Sequence, residues 1–233
     1  YSSGMETVVG LTANTTQDFW AGMRARPQLI EKFTNNPESF VGKAAYEIRD
    51  MNIDDRAIFC GVDHTLSVQP NDGFFHGLAT PKWSNNYSTG ATAHNEQDVD
   101  IDYFLFRVAE AYLNAAEADM HISGEGSAKS KQYIDALRNR AHAVTKSSYS
   151  LQDVLDERAR ELAFEEHRWP TLLRLDKTGG QNPDMKYQLE HYTMFTNDLG
   201  QDGIVPEWTL FPIPLTVINL NKEAQLEQNP GWN

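Results

Sequence analysis

Residues Glu161–Leu175 read ELAFEEHRWPTLLRL. Three glutamates, a histidine, an arginine and a tryptophan crowd the run ahead of Pro170. Either the acids form a catalytic cluster, or they close a helix that holds a fold together. Spacing favours the helix end. Glu161 and Glu165 are one helical turn apart and stack along one face, while Glu165 and Glu166 diverge. Carboxylates that cleave a glycosidic bond must face each other across a cleft at about 5–9.5 Å. Two acids on one face of one helix do not flank a bond from both sides. The pairs Glu157/Arg160, Arg158/Glu161 and Glu165/Arg168 are three apart, which predicts surface ion pairs worth about 0.2–0.5 kcal/mol each. Arg168 then complements the negative end of the helix, and Trp169 folds back as an apolar plug. Pro170 disfavours helical geometry at Trp169, so the helix is expected to stop there, with a short helical turn over 171–176.

Working upstream, Leu151, Val154, Leu155, Ala159, Leu162 and Phe164 supply the apolar stripe of this helix. Ser150 and Asp153 form an S-x-x-D cap at its start. A second helix is expected over about 127–143, with Tyr133, Ile134, Leu137 and Ala141 inward. The glycines of Ser123-Gly124-Glu125-Gly126 separate it from a third, which runs from Ile101 through Leu105, Val108, Ala109, Tyr112, Leu113 and Ala116. Ala109, Ala115, Ala116 and Ala118 are small enough for a partner helix to approach closely. Two helices and a turn in about 40 residues match the period of helix-pair repeats.

Residues 1–99 have another texture. Turn signals crowd Asn35-Asn36-Pro37, Gln69-Pro70-Asn71-Asp72-Gly73 and Ser84-Asn85-Asn86. One helix is expected near 15–33, interrupted by Pro27, and one strand over Ala57–Val62. The remainder reads as long loops, which in compact domains tend to carry function.

The 233 residues carry 40% apolar and 23% charged side chains and a formal net charge of −13. That charge repels phosphate backbones and excludes general nucleic-acid binding. A single cysteine, Cys60, makes no internal disulfide. No stretch approaches the length of a membrane helix. The seven histidines show no paired zinc spacing, and no phosphate-binding glycine motif is present, so no cofactor and no metal are expected. Asp98-Val99-Asp100-Ile101-Asp102 fails as a calcium loop, because Tyr103 stands where the loop needs glycine and Ala109 where it needs glutamate.

Four segments in order carry a resemblance. They are Tyr103–Ala118 (YFLFRVAEAYLNAAEA), Ala136–Ala141 (ALRNRA), Glu157–Trp169 (ERARELAFEEHRW), and Phe211-Pro212-Ile213-Pro214 with Gln228-Asn229-Pro230-Gly231-Trp232. Together they resemble the SusD/RagB family of outer-membrane nutrient-binding lipoproteins. Trp20-Ala21-Gly22-Met23-Arg24 and Lys82-Trp83-Ser84-Asn85 are similar to family loops more loosely. Pro170-Thr171 replaces the usual aromatic-Asp, and Val217 stands where an acid is usual.

The resemblance implies a mainly α fold of TPR-like helix pairs with long loops and a few short strands. Residues 1–99 would be the loop-rich ligand-binding region and residues 100–233 the helical scaffold. It further implies a non-catalytic, cell-surface glycan-binding protein at the outer membrane, which passes nutrient to a SusC-like TonB-dependent transporter. The family's lipid anchor sits on an N-terminal cysteine absent from this chain, so an N-terminal segment of the same polypeptide is expected to precede Tyr1. Three other readings stay open: a peptide-binding RagB-like member, a glycan-degrading enzyme, and a bare scaffold.

Sugar rings present C–H faces fringed by hydroxyls, which suit an exposed aromatic face with amide or guanidinium donors. Trp83 with Asn85, Asn86 and Tyr87, and Trp20 with Arg24, offer that mixture and are the expected ligand contacts. Phe74-Phe75-His76 reads as a hairpin flank, and Trp169, Trp208 and Trp232 as packing residues.

Overall fold

The structure is a computed structural model. It describes residues 24–66, 76–80, 82, 87, 89, 91, 102–175, 210–230 and 232. The chain divides into two compact units, residues 1–166 and 167–233. The division expected at 99/100 concerned ligand binding against scaffold, and its boundary lies outside the described residues.

The frame of the first unit is helical. Helix α3 (Val108–Ser123) packs against α4 (Ala128–Arg140) and α5 (Leu151–Glu161). The α3 start is later than periodicity implied: Tyr103–Phe106 are non-helical and exposed. Gly124 ends α3 at φ 89°, a conformation open to glycine, and its N–H donates to Met120 O at 2.9 Å. Asp119 of α3 then caps α4. Its carboxylate accepts from the Ser127 hydroxyl, from Ser130 N at 3.1 Å and from Ser130 Oγ at 2.7 Å. Three hydroxyl and amide donors thereby fix the hairpin turn, and these donors hold the Asp119 carboxyl below its ordinary range. The expected cap of α5 is present in both directions: Asp153 N donates to Ser150 Oγ at 3.2 Å, and Ser150 N to Asp153 Oδ2 at 2.9 Å. Ala109, Leu113, Ala116, Met120, Ile134, Leu137, Tyr149 and Val154 form the core between the three helices.

Residues 24–66 and 76–80 belong to the same unit and build a second core from short pieces. Strand β1 (Arg24–Ala25) pairs antiparallel with β2 (Leu78–Ala79). Between them lie α1 (Pro27–Ile30), a 3₁₀ turn (Pro37–Phe40) and α2 (Ala45–Arg49). Pro27 opens α1 instead of interrupting a longer helix, because a first-turn residue has no hydrogen bond to lose. The expected strand at 57–62 is reduced to one bridge, Cys60 to Ala79. Gly61 lies against Phe40, where a Cβ would meet the carbonyl oxygen at 2.0 Å, so only glycine fits. Ile30, Phe40, Ile48, Phe59 and Leu78 are buried together.

In the second unit, the short helical turn expected over 171–176 is present as α6 (Arg168–Leu175), which starts earlier than expected and takes Trp169 and Pro170 into its first turn. A proline is tolerated there for the same reason as Pro27. Helix α7 (Leu215–Leu220) follows the Phe211–Pro214 segment. The Gln228 side chain brackets that segment: it accepts from Ile213 N at 2.7 Å and donates to Ile213 O at 2.9 Å. Trp232 Nε1 donates to Leu210 O at 2.8 Å, which ties the two halves of the last motif together. Among the described residues, no helix is long and apolar enough to cross a membrane.

Candidate functional site

Helix α5 ends at Glu161, and a turn over 162–166 carries Phe164 and Glu166 at φ 61°. Left-handed backbone is unfavourable for a side chain such as Phe. The turn brings Glu165 back beside Glu161, so Glu157, Glu161 and Glu165 form a ladder, and all three are buried.

Each rung is held by cations from other segments. Arg56 grips Asp54 bidentately, at 2.8 and 2.7 Å, and donates from Nη1 to both Glu157 Oε1 and Glu161 Oε2 at 2.8 Å. Arg138 and Arg160 complete the shell of Glu157, each with a contact at 2.7 Å. Arg140 Nη2 reaches both Glu161 oxygens at 2.6 Å. Arg107, just ahead of α3, donates at 2.6 Å to Glu161 Oε1, to Glu161 O and to Glu165 Oε2. Lys82 Nζ donates to the Glu165 carboxylate, to Ala163 O at 2.5 Å and to Glu161 O at 3.2 Å. Lys82 and Arg107 thus satisfy the carbonyls that a helix end leaves open.

This arrangement corrects the expected surface pairs. Glu157–Arg160 forms, but Glu161 and Glu165 turn inward to Arg56, Arg107, Arg140 and Lys82. Arg158 instead bonds Asn114 Oδ1 at 2.6 Å. Burial raises the proton affinity of each carboxyl, and the surrounding guanidinium groups more than reverse it. Glu161 is held down to about 2 by Arg107, Arg140 and Arg56, and Glu157 and Glu165 also lie below their ordinary value. A general acid needs a carboxyl raised toward neutral pH. These three stay ionised and act as a clamp.

Beside the clamp a cavity of about 330 Å³ opens between the 24–82 segment and the end of α5. Phe33, Phe59, Phe104 and Phe164 line it together with Arg56, Lys82 and Arg107. Phe164 also packs on the 24–82 core, so the turn after α5 joins both cores.

Of the ligand contacts expected from sequence, Trp20, Trp83, Asn85 and Asn86 lie outside the described residues. So do Phe74, Phe75, Trp208 and most of the Asp98–Asp102 run. Arg24 is on β1, where Nη1 donates to His76 O at 2.8 Å, two residues ahead of β2. Tyr87 is exposed, and its N–H donates to Ala91 O at 2.9 Å. Sequence reasoning did not single out Arg56, Lys82 or Arg107. Arg107 lay inside a quoted motif and Lys82 next to Trp83, whereas Arg56 carried no signal beyond its neighbours Asp54 and Asp55.

The model of the SusD family matches residues 51–232. The chain is 28% identical to "Starch-binding protein SusD" of Bacteroides thetaiotaomicron, over 97% of this chain and 44% of that protein. It is 34% identical to "SusD-like protein P2" of Formosa agariphila, over 61% of this chain and 28% of that one. Among solved structures, a SusD superfamily protein from Parabacteroides distasonis superposes with a TM-score of 0.59 at 19% identity, covering 99% of this chain and 47% of that chain. Surface glycan-binding protein A from Bacteroides uniformis superposes at 0.56 and 20% identity, covering 92% and 42%. These likenesses give the same mainly helical fold. The chain spans less than half the length of the relatives it matches.

Proposed function

The chain belongs to the SusD family, and on that premise we propose that it captures a glycan at the bacterial cell surface without cleaving it. The observation that carries this reading is the state of the acidic ladder. Glu157, Glu161 and Glu165 are buried, ionised and each ringed by cations, so the cluster that could have been catalytic is spent on holding segments together. Capture then falls to residues outside the clamp. Trp83, Asn85, Asn86 and Tyr87, with Trp20 and Arg24 as a second group, supply ring faces and hydrogen-bond donors for a sugar chain.

The relatives' printed names, starch-binding in one case and surface glycan-binding in another, support a glycan as the ligand class. The same reading assigns a SusC-like TonB-dependent transporter as the partner that receives the ligand. It also assigns a lipid-anchored N-terminal segment of the same polypeptide, which holds the protein at the outer membrane.

Calorimetric titration with oligosaccharides and with peptide pools tests the proposal. Glycan affinity should fall at least tenfold in Trp83→Ala, a loss of about 1.4 kcal/mol. Binding of peptides alone replaces the ligand class. Hydrolysis of a bound glycan that survives purification would overturn the non-catalytic assignment.

A further inference from the structure

The cavity beside the clamp is not lined as a sugar site. Its walls carry the rings of Phe33, Phe59, Phe104 and Phe164 together with Ile58 and Ala163. No asparagine or glutamine is among the described residues that line it, and the Thr80 hydroxyl already donates to Ile58 O at 3.2 Å. A sugar needs such amides and hydroxyls to match its own hydroxyl fringe. Phe59 is 2% exposed and Phe104 53% exposed, so the aromatic wall runs from the core to open solvent. Phe164 is held in left-handed backbone at φ 61°. Bulky residues rarely adopt that conformation, and it gathers where a side chain is set for binding. A volume of about 330 Å³ stands at the small end of ligand pockets, roughly 300–1,000 Å³, and suits one ring with a short arm.

The charge along this wall does not cancel. Lys82 and Glu165 pair with each other. Among the described residues, the guanidinium groups of Arg56, Arg107, Arg138, Arg140 and Arg160 then meet the four carboxylates of Asp54, Asp55, Glu157 and Glu161. One positive charge is left over, in a chain whose net charge is −13. Donors are left over as well. Arg140 spends Nη2 on Glu161, and its Nε and Nη1 have no acceptor among the described residues. Arg107 Nη1 donates to Glu161 Oε1 and carries a second hydrogen. This surplus matches one carboxylate and falls short of a phosphate dianion.

We propose that the cavity binds an aromatic monocarboxylate, a single-ring acid whose ring lies among the phenylalanines and whose carboxylate meets Arg140 and Arg107. Edge-to-face contacts with the phenyl rings and the adjacent guanidinium groups both favour an aromatic body over an aliphatic one. This ligand is additional to the glycan proposed above, and its binding does not depend on glycan capture.

Calorimetric titration of the polypeptide as the gene encodes it, at pH 7, tests the assignment with three probes: cinnamate, the uncharged cinnamamide, and acetate, which has no ring. Cinnamate should bind at one site, cinnamamide at least tenfold more weakly, and acetate without measurable heat. Arg140→Gln should weaken cinnamate at least tenfold and leave cinnamamide unchanged; this side chain is 55% exposed, so its loss opens little of the core. Phe104→Ala should weaken both aromatic probes at least fivefold. If Arg140→Gln fails to fold, Phe104→Ala, on the exposed non-helical stretch ahead of α3, decides alone. Absence of cinnamate binding overturns the proposal. So does equal affinity for cinnamamide, or cinnamate binding that Phe104→Ala leaves untouched. Binding of galacturonate oligosaccharides that Arg140→Gln abolishes, with cinnamate silent, replaces the aromatic acid with an acidic sugar.

Discussion

Residues 108–161 and the described residues between 24 and 82 bury similar sets of apolar side chains by different means. The first region does it locally. Three helices of 11 to 16 residues stack stripes such as Leu113, Ile134 and Val154, and caps at Gly124, Ser127 and Ser150 close their ends. The second region has no helix longer than α2, which is five residues, and only a two-residue strand pair. It is fastened to the first through charge. Arg56 and Lys82 reach across more than seventy residues of sequence to Glu157, Glu161 and Glu165. The helical region therefore supplies its own order and also anchors the region that does not.

The sharpest way to break this contrast is to remove Glu161. Glu161→Ala leaves Arg56, Arg107 and Arg140 short of a shared counter-charge in a buried setting, an expected cost of about 3–5 kcal/mol. Urea unfolding measures the loss, and native-state hydrogen exchange locates it. Amides between 24 and 82 should lose protection before those of α3 and α4. Uniform loss, or a change under about 1 kcal/mol, would erase the distinction between the regions.

Acid should act in the same direction. Glu161 has a folded value of about 2 against an ordinary 4.5, so its contribution is fully present above pH 4.5 and is lost as pH falls toward 2. That amounts to roughly 3 kcal/mol for this group, and Glu157 and Glu165 add the same sign. The urea midpoint at pH 7 and pH 3 should differ markedly, and Glu161→Gln should flatten the dependence. A wild-type midpoint that does not move between these values counts against the ionised clamp.

Within the helical region the effects are smaller and local. Ser150→Ala removes one direction of the α5 cap and should cost about 1 kcal/mol. Thermal unfolding measures it, and exchange should change at the start of α5 only. Smallest of all is Trp83→Ala, whose expected effect on stability is within about 0.5 kcal/mol while glycan affinity falls. Large destabilisation there would make Trp83 a packing residue.

Helices α3 to α5 were legible from sequence because their signals are local. Periodicity places the stripes, and a glycine or a capping serine marks each end within a few residues. The same signals misplace the start of α3. Tyr103–Phe106 are apolar and keep helical spacing, yet they lie outside the helix. At Glu161 and Glu165 the i, i+3 rule gave the wrong partners, because it assumes an exposed helix face. Once the carboxylates are buried, several guanidinium donors each offset more desolvation than one surface neighbour can. Pro27 and Pro170 interrupt the apolar periodicity in the sequence, yet each sits in the first turn of a helix, since proline forbids a helix only where a donor is needed.

The amino-acid sequence by itself determined the helical pairs, their caps and the family, because each depends on residues close together in the chain or on ordered motifs. Only the tertiary structure decided what the acidic stretch does. Whether Glu161 is a surface ornament, a catalyst or a clamp depends on Arg56, Arg107 and Arg140, which stand far from it in sequence and meet it only when the chain closes. Electrostatic partners are chosen by proximity in space and by desolvation, and neither is written in local spacing.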